Sequence, residues 1–303
     1  MKILITGCNG QLGSELTGIL SEMHSEIGPI SEEYRDAQVV AVDVDTLDIA
    51  DHDAVMCFVR KCEPDLIINC AAMTNVDGCE TMLETAYQVN SAGPRNLAMA
   101  ADAAGAKLVH VSTDYVFAGT GNRPFCEWDS VDPQSVYGKS KALGETYAAR
   151  FCKETFIVRT SWLYGFQGKN FVKTVRRVLR EKGSMTVVND QRGNPTYAND
   201  LAHHILKLAV TDDYGTYHCT GNGECSWYEF AREIAALSGI TAPVLPCTSE
   251  EYEQATHCPT KRPAYSSLSH LALQCAVGDE MRPWKEALKS FLARLDAAEA
   301  QQG

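Results

Sequence analysis

The chain has 303 residues, 45% of them hydrophobic and 22% charged, with a formal net charge of −12 and 12 cysteines. This is an ordinary globular composition, long enough for one large domain or a domain with a smaller lobe, and it excludes wholesale disorder. The acidic balance, with a pI near 5.1, argues against general affinity for nucleic acid or anionic membrane and favours a small-molecule partner.

The first predicted element is an apolar β-strand from Lys2 to Thr6, with no signal-peptide pattern at the N-terminus. It leads directly into Gly7-Cys8-Asn9-Gly10-Gln11-Leu12-Gly13 and a helix from Gln11 to Leu20. Glycines at 7, 10 and 13 permit a tight turn, close approach of backbone to a pyrophosphate, and close helix packing, with the helix N-terminus facing the anion. The spacing is Gly-x-x-Gly-x-x-Gly, one residue longer between the first two glycines than the dinucleotide fingerprint. A second strand, Val39 to Asp43, ends in a carboxylate placed for the adenosine ribose hydroxyls. Its charge favours NADH over NADPH, because it repels an added phosphate. The interval from Gly13 to Asp43 exceeds the usual separation of about 20 residues, and the excess is assigned to a loop around Ser25 to Asp36.

Helical spacing from Asp51 to Lys61, Thr85 to Ala104 and Val136 to Arg150 alternates with strands at Leu66 to Ala71, Lys107 to Ser112 and Phe156 to Thr160. Continuous apolar strands joined by helices indicate an α/β fold, a doubly wound parallel sheet of Rossmann type. After Thr160 the pattern loosens, and turn signals such as Asp190-Gln191-Arg192-Gly193-Asn194-Pro195 become frequent. Residues 1–160 are therefore read as the nucleotide-binding domain, its core continuing into the later chain, and 161–303 as mainly a smaller substrate-binding lobe. In that lobe, helices are expected from Trp227 to Leu237, capped by Ser226, and from Pro283 to Leu295, with a frayed tail from Asp296 to Gly303.

Tyr137 and Lys141 stand four residues apart in a segment of helical pattern, 24 positions after Thr113. A four-residue step stacks phenol and ammonium on one helical face, and a neighbouring cation stabilises phenolate, so the pair can handle a proton. The cysteines show no Cys-x-x-Cys spacing, and no cluster demands a metal. They read as reduced, mostly buried thiols of a cytoplasmic protein, and His110 and His218, outside any ligand constellation, read as structural.

Further motifs make the pattern specific. They are Asn69-Cys70-Ala71-Ala72-Met73-Thr74-Asn75-Val76-Asp77, Ser112-Thr113-Asp114-Tyr115-Val116-Phe117, Val136-Tyr137-Gly138-Lys139, Arg159-Thr160-Ser161-Trp162-Leu163-Tyr164-Gly165, Asn170-Phe171, Asn189 through Thr196, and Arg262-Pro263. With the glycine turn they cover almost the whole chain, and in them it resembles the extended short-chain dehydrogenases/reductases, more finely the dTDP-4-dehydrorhamnose reductase family.

The resemblance implies reduction of the 4-keto group of a dTDP-sugar by NADPH or NADH. Tyr137 would be proton donor, Lys141 would lower the phenol pKa and hold the nicotinamide ribose, and Thr113, with Ser112 as rival, would hydrogen-bond the carbonyl oxygen. The dinucleotide would be held by Gly7, Asn9, Gly10, Gln11, Leu12, Gly13, Asp43, Asp48, Ala71, Ala72, Thr74, Tyr137 and Lys141. The sugar nucleotide would meet Thr74, Val76, Thr113, Tyr115, Trp162 and, through its diphosphate, Arg262. A homodimer is a family expectation, and Mg2+ is an option that the sequence itself does not indicate. Two other readings are a silent regulatory relative, similar to the methionine adenosyltransferase β subunit, and a different nucleotide-sugar ketoreductase or epimerase. The intact Thr113, Tyr137 and Lys141 weigh against the first.

Overall fold

The computed structural model describes residues 1–256 and 260–302, with side chains to residue 300, so Cys258 and Gly303 lie outside the described residues. Six parallel strands form the central sheet: β1 (Lys2–Thr6), β2 (Gln38–Val42), β3 (Leu66–Asn69), β4 (Lys107–Thr113), β5 (Thr155–Thr160) and, in the later chain, β10 (Gly215–His218). Their order is β2-β1-β3-β4-β5-β10, so the direction of winding reverses between β1 and β3, where doubly wound sheets open a crevice at the strand C-termini. β3 and β5 are buried at every residue, and the rule that a sheet covered on both faces needs continuous apolar runs explains why they were legible. β1 has the ends expected from the sequence, and β2 to β5 differ from expectation by one or two residues at an end.

The covering helices are α1 (Gln11–Glu22), α2 (His52–Cys62), α3 (Val76–Thr81), α4 (Leu83–Tyr87), α5 (Gly93–Ala104) and α6 (Val136–Phe151). The single helix expected from Thr85 to Ala104 is instead α4, a π-helical turn over Gln88–Ala92, and α5. Pro94 at the start of α5 has no N–H to continue an α-helical ladder. The widened turn brings Asn90 against α6: its Nδ2 donates to Ser140 Oγ at 3.1 Å, and its carbonyl oxygen would lie 2.2 Å from a Cβ at position 144, which Gly144 lacks. Nor is the segment from Ser25 to Asp36 a free loop, since Tyr34 is buried and its hydroxyl donates to Leu206 O at 2.7 Å.

The remaining elements are β6 (Leu163–Tyr164), α7 (Phe171–Lys182), β7 (Met185–Val188), β8 (Arg192–Gly193), β9 (Thr196–Tyr197), α8 (Ala198–Ala209), β11 (Cys225–Ser226), α9 (Trp227–Leu237), β12 (Val244–Cys247), α10 (Ser249–Thr256), α11 (Leu271–Ala276) and α12 (Trp284–Gln302). Ser226 caps α9 with Glu229 in a reciprocal capping box. α7, α9 and α12 share a second apolar core containing Val175, Phe230 and Phe291, separate from the cores on the two sheet faces. α12 continues well past Leu295, through the tail expected to fray, and buried Arg176 of α7 pairs with Asp296 and Glu299 along it.

Candidate active site

α6 carries the central pair. Ser135 at its N-cap accepts from Gly138 N at 3.1 Å, a cap that contributes about 1 kcal/mol. A Cβ at position 138 would stand 2.2 Å from Tyr115 O, so glycine lets the first turn press against the segment after β4. Tyr137, Lys141 and Glu145 then fall on one buried face at four-residue steps. Thr113, the last residue of β4, faces them: its hydroxyl donates to Asp114 Oδ1 at 2.9 Å and accepts from Tyr115 N at 3.3 Å. Tyr115 meets the Tyr137 ring edge-on, with centroids 5.5 Å apart.

Burial dominates the electrostatics. It pushes the Tyr137 phenol up, and the effect that pulls the phenol back is its hydrogen bond with Thr113. The sequence expectation put the lowering on Lys141. In the structure the Lys141 ammonium donates to Val111 O at 2.6 Å, and burial pulls it down to about 8. Asp114, fully buried, is pushed up to about 6 by burial, against the hydrogen bonds with Ser266 and Thr113 that favour its carboxylate. His110 and His218 are both wholly buried and held below the usual histidine range by burial, which fits their structural reading.

A cradle for a dinucleotide lies at the C-terminal ends of β1 and β3. Gly7 has φ +68°, and a Cβ there would sit 2.8 Å from Ala71 N; at position 13 it would sit 2.3 Å from Gly7 O. Gly10 caps α1 without a side chain, leaving the helix's first N–H groups open toward the crevice. A pyrophosphate fits that donor set. Asp43 Oδ2 accepts from Asn9 N at 2.9 Å and Oδ1 from Val44 N at 2.8 Å, so this carboxylate shapes the turn as well as facing the crevice. Asp48 Oδ1 accepts from Ala50 N at 2.9 Å.

Every candidate site residue read from the sequence, Asn9 excepted, lines one cavity of about 800 Å³. Asn9 acts through its backbone, bracing Asp43 from outside the wall. Gly7, Gly10, Gln11, Leu12, Gly13, Asp43, Asp48, Ala71 and Ala72 bound one side, and Thr74, Val76, Tyr115, Trp162 and Arg262 lie with Thr113, Tyr137 and Lys141 around the rest. Arg262 pairs with Asp77 at 3.1 Å. Trp162 has the left-handed φ of 46°, a strained conformation for a bulky residue and one that collects at ligand sites.

The wall also holds Asp114, Lys169, Asn170 and Trp227, to which no role was assigned from the sequence. Asn170 caps α7 and donates to Gln11 Oε1 at 3.0 Å, joining α7 to the glycine turn. Its signal was present in the Asn170-Phe171 motif. Among the described residues no group of three His, Cys, Asp or Glu side chains could hold a metal ion.

Comparison with known proteins agrees with this geometry. The family model described as RmlD substrate binding domain matches residues 1–297. The spore coat polysaccharide biosynthesis protein SpsK of Bacillus subtilis is 42% identical, over 98% of this chain and 99% of its own. A dTDP-4-dehydrorhamnose reductase structure from Clostridium acetobutylicum is 45% identical, with a TM-score of 0.90 over 98% of this chain and 100% of its own. The Bacillus anthracis dTDP-4-dehydrorhamnose reductase, solved in complex with NADP, is 40% identical, with a TM-score of 0.88 over 97% of this chain and 99% of its own.

Proposed function

Because this chain belongs to the RmlD substrate binding domain family, we propose that it catalyses the dTDP-4-dehydrorhamnose reductase reaction. In that reaction the 4-keto group of dTDP-6-deoxy-L-lyxo-4-hexulose is reduced to give dTDP-L-rhamnose. The observation that carries the reading is that Thr113, Tyr137 and Lys141 line the same cavity as the glycine turn.

When bound, the reduced nicotinamide supplies the hydride. Gly7, Gly10 and Gly13 let backbone approach its pyrophosphate, and Asp43 and Asp48 lie where the adenosine end would rest. Thr113 donates to the C4 carbonyl oxygen and stabilises the charge that develops there, while Tyr137 gives that oxygen its proton. A phenol kept protonated by burial is a proton donor in waiting. Lys141 holds the nicotinamide ribose and places a cation near the phenol. Arg262 exchanges Asp77 for the substrate diphosphate, and Trp162 and Tyr115 enclose the sugar.

The reading carries a cytoplasmic location, where reduced nicotinamide and free thiols coexist, and a homodimer, which sedimentation would test. The name of the Bacillus subtilis relative suggests that the product serves a surface polysaccharide. The direct experiment offers purified protein several 4-keto-6-deoxy nucleotide sugars with NADH and NADPH in turn, with Tyr137→Phe as control. Turnover of the dTDP-sugar, lost by at least about 100-fold in the variant with cofactor binding kept, is expected. Turnover unchanged by Tyr137→Phe, or none with any sugar, would sink the proposal.

A further inference from the structure

Glu145 is buried on the same face of α6 as Tyr137 and Lys141. Its Oε1 accepts from Ser112 Oγ at 2.5 Å and from Arg159 Nε at 2.9 Å, and its Oε2 from Arg159 Nη2 at 2.7 Å. Ser112 lies between Val111, whose carbonyl receives the Lys141 ammonium, and Thr113. Arg159 is fixed in turn: it pairs in register with Ser112 across β4 and β5, its guanidinium lies 5.1 Å over the Phe117 ring, and Nη1 donates to Glu127 O at 3.3 Å. A carboxylate is an expensive group to bury, and here three charge-assisted or short hydrogen bonds compensate it.

We propose that Glu145 is a positioning residue of the reduction, clamping the strand end that carries Thr113 to the helix that carries Tyr137 and supplying the counter-charge that keeps Lys141 an ammonium. The inference rests on the function proposed above. The clamp works through Ser112: strand end and helix are held by one carboxylate, so alcohol, phenol and ammonium keep a common frame. The counter-charge works against burial. The groups facing Lys141 are Glu145 on its own helix, Cys70 after β3 and His110 on β4, and of these Glu145 is the leading one that favours the protonated amine. On the far side of Glu145 stand Arg159 and, 3.4 Å beyond it, His218 of β10, which burial keeps neutral.

The test follows the Lys141 amine directly, by pH titration of 13C-lysine-labelled protein with Lys141→Arg assigning the signal. The wild-type midpoint is expected near 8. In Glu145→Gln it is expected to fall by about one unit or more, and the alkaline limb of kcat/KM to move with it. Ser112→Ala, which keeps the charge and removes the clamp, is expected to lower kcat several-fold at every pH and to leave the midpoint in place. Should Glu145→Gln fail to fold with Arg159 left unpaired, the double variant Glu145→Gln/Arg159→Gln removes both charges and is expected to show a smaller fall in the same direction, because the Arg159 cation no longer opposes the ammonium. A midpoint unmoved in the folded variants, or wild-type kcat in Ser112→Ala, overturns the inference. Absence of wild-type turnover would instead strike the functional reading, and the titration would still decide the counter-charge.

Discussion

The indole of Trp227 lies flat on that of Trp162, with ring centroids 3.6 Å apart and planes within 10° of parallel. Trp227 opens α9, and Phe171 of α7 meets it edge-on at 4.6 Å. The strained Trp162, between β5 and β6, is thus backed by an aromatic plate from two helices. Removing the plate frees Trp162 to relax away from the cavity. Trp227→Ala is expected to raise KM for the nucleotide sugar about 3- to 10-fold, in line with the 0.5–1.5 kcal/mol of an aromatic pair, leaving the cofactor KM unchanged. Steady-state kinetics checks it, and equal losses for both substrates would show that the plate has no selective role.

The three glycines of the first turn are not equivalent. A Cβ at Gly13 would approach Gly7 O to 2.3 Å, whereas at Gly10 its nearest neighbour is Gly7 O at 3.2 Å. Gly13→Ala is expected to cost about 1–3 kcal/mol of stability, and Gly10→Ala well under half of that. Chemical denaturation of the cofactor-free protein ranks the two, and the reverse order would contradict the geometry.

Asp43 both braces Asn9 and places a negative charge at the cofactor crevice. Asp43→Asn keeps an acceptor and drops the charge. The ratio of kcat/KM for NADPH to that for NADH is expected to rise about tenfold, since a like charge beside a phosphate costs on the order of 1 kcal/mol in a partly solvated setting. An unchanged ratio would show that Asp43 serves the turn alone.

Asp114 gives stability its own pH dependence. Its folded value of about 6 stands above the free value of 3.8. The stability it contributes is therefore fully present below the free value and is lost as pH rises through about 6. Asp114→Asn has no such loss, so its stability relative to wild type is expected to climb from pH 4 to pH 7, by about 3 kcal/mol at most. Melting curves at intervals across that range give the slope, and parallel curves would mean that the buried carboxyl is ionised at little cost.

Much of this was readable in the chain. β1, β3 and β5 carry apolar centres at Ile3 to Ile5, Leu66 to Ile68 and Phe156 to Val158, and the step from Tyr137 to Lys141 survives as one face of α6, because both signals are local. What was missed is set by distant packing. The π-helical turn at Gln88–Ala92 answers to α6, and the stretch of α12 past Leu295 answers to Arg176. Trp227 reads in sequence as the start of a capped helix, and nothing in its neighbours tells that this first residue of α9 stacks on Trp162. The rise in the Tyr137 phenol comes from enclosure, which spacing does not reveal.

β10 completes the sheet only when the chain returns at Gly215–His218, and α8 lays Leu201, Ile205 and Leu206 in the same apolar core as Ile3 and Ile5. A nascent chain halted at Thr160 thus has every strand of the cofactor cradle yet leaves one edge of β5 unpaired and the apolar core that α1 shares with α8 only partly covered. Folding during synthesis must wait until some sixty further residues have left the ribosome, because closing an exposed strand edge is what prevents wrong pairing. Truncated chains ending at Thr160 and at Thr220, released from the ribosome and compared for protease resistance, are expected to divide sharply, with the longer one the better protected.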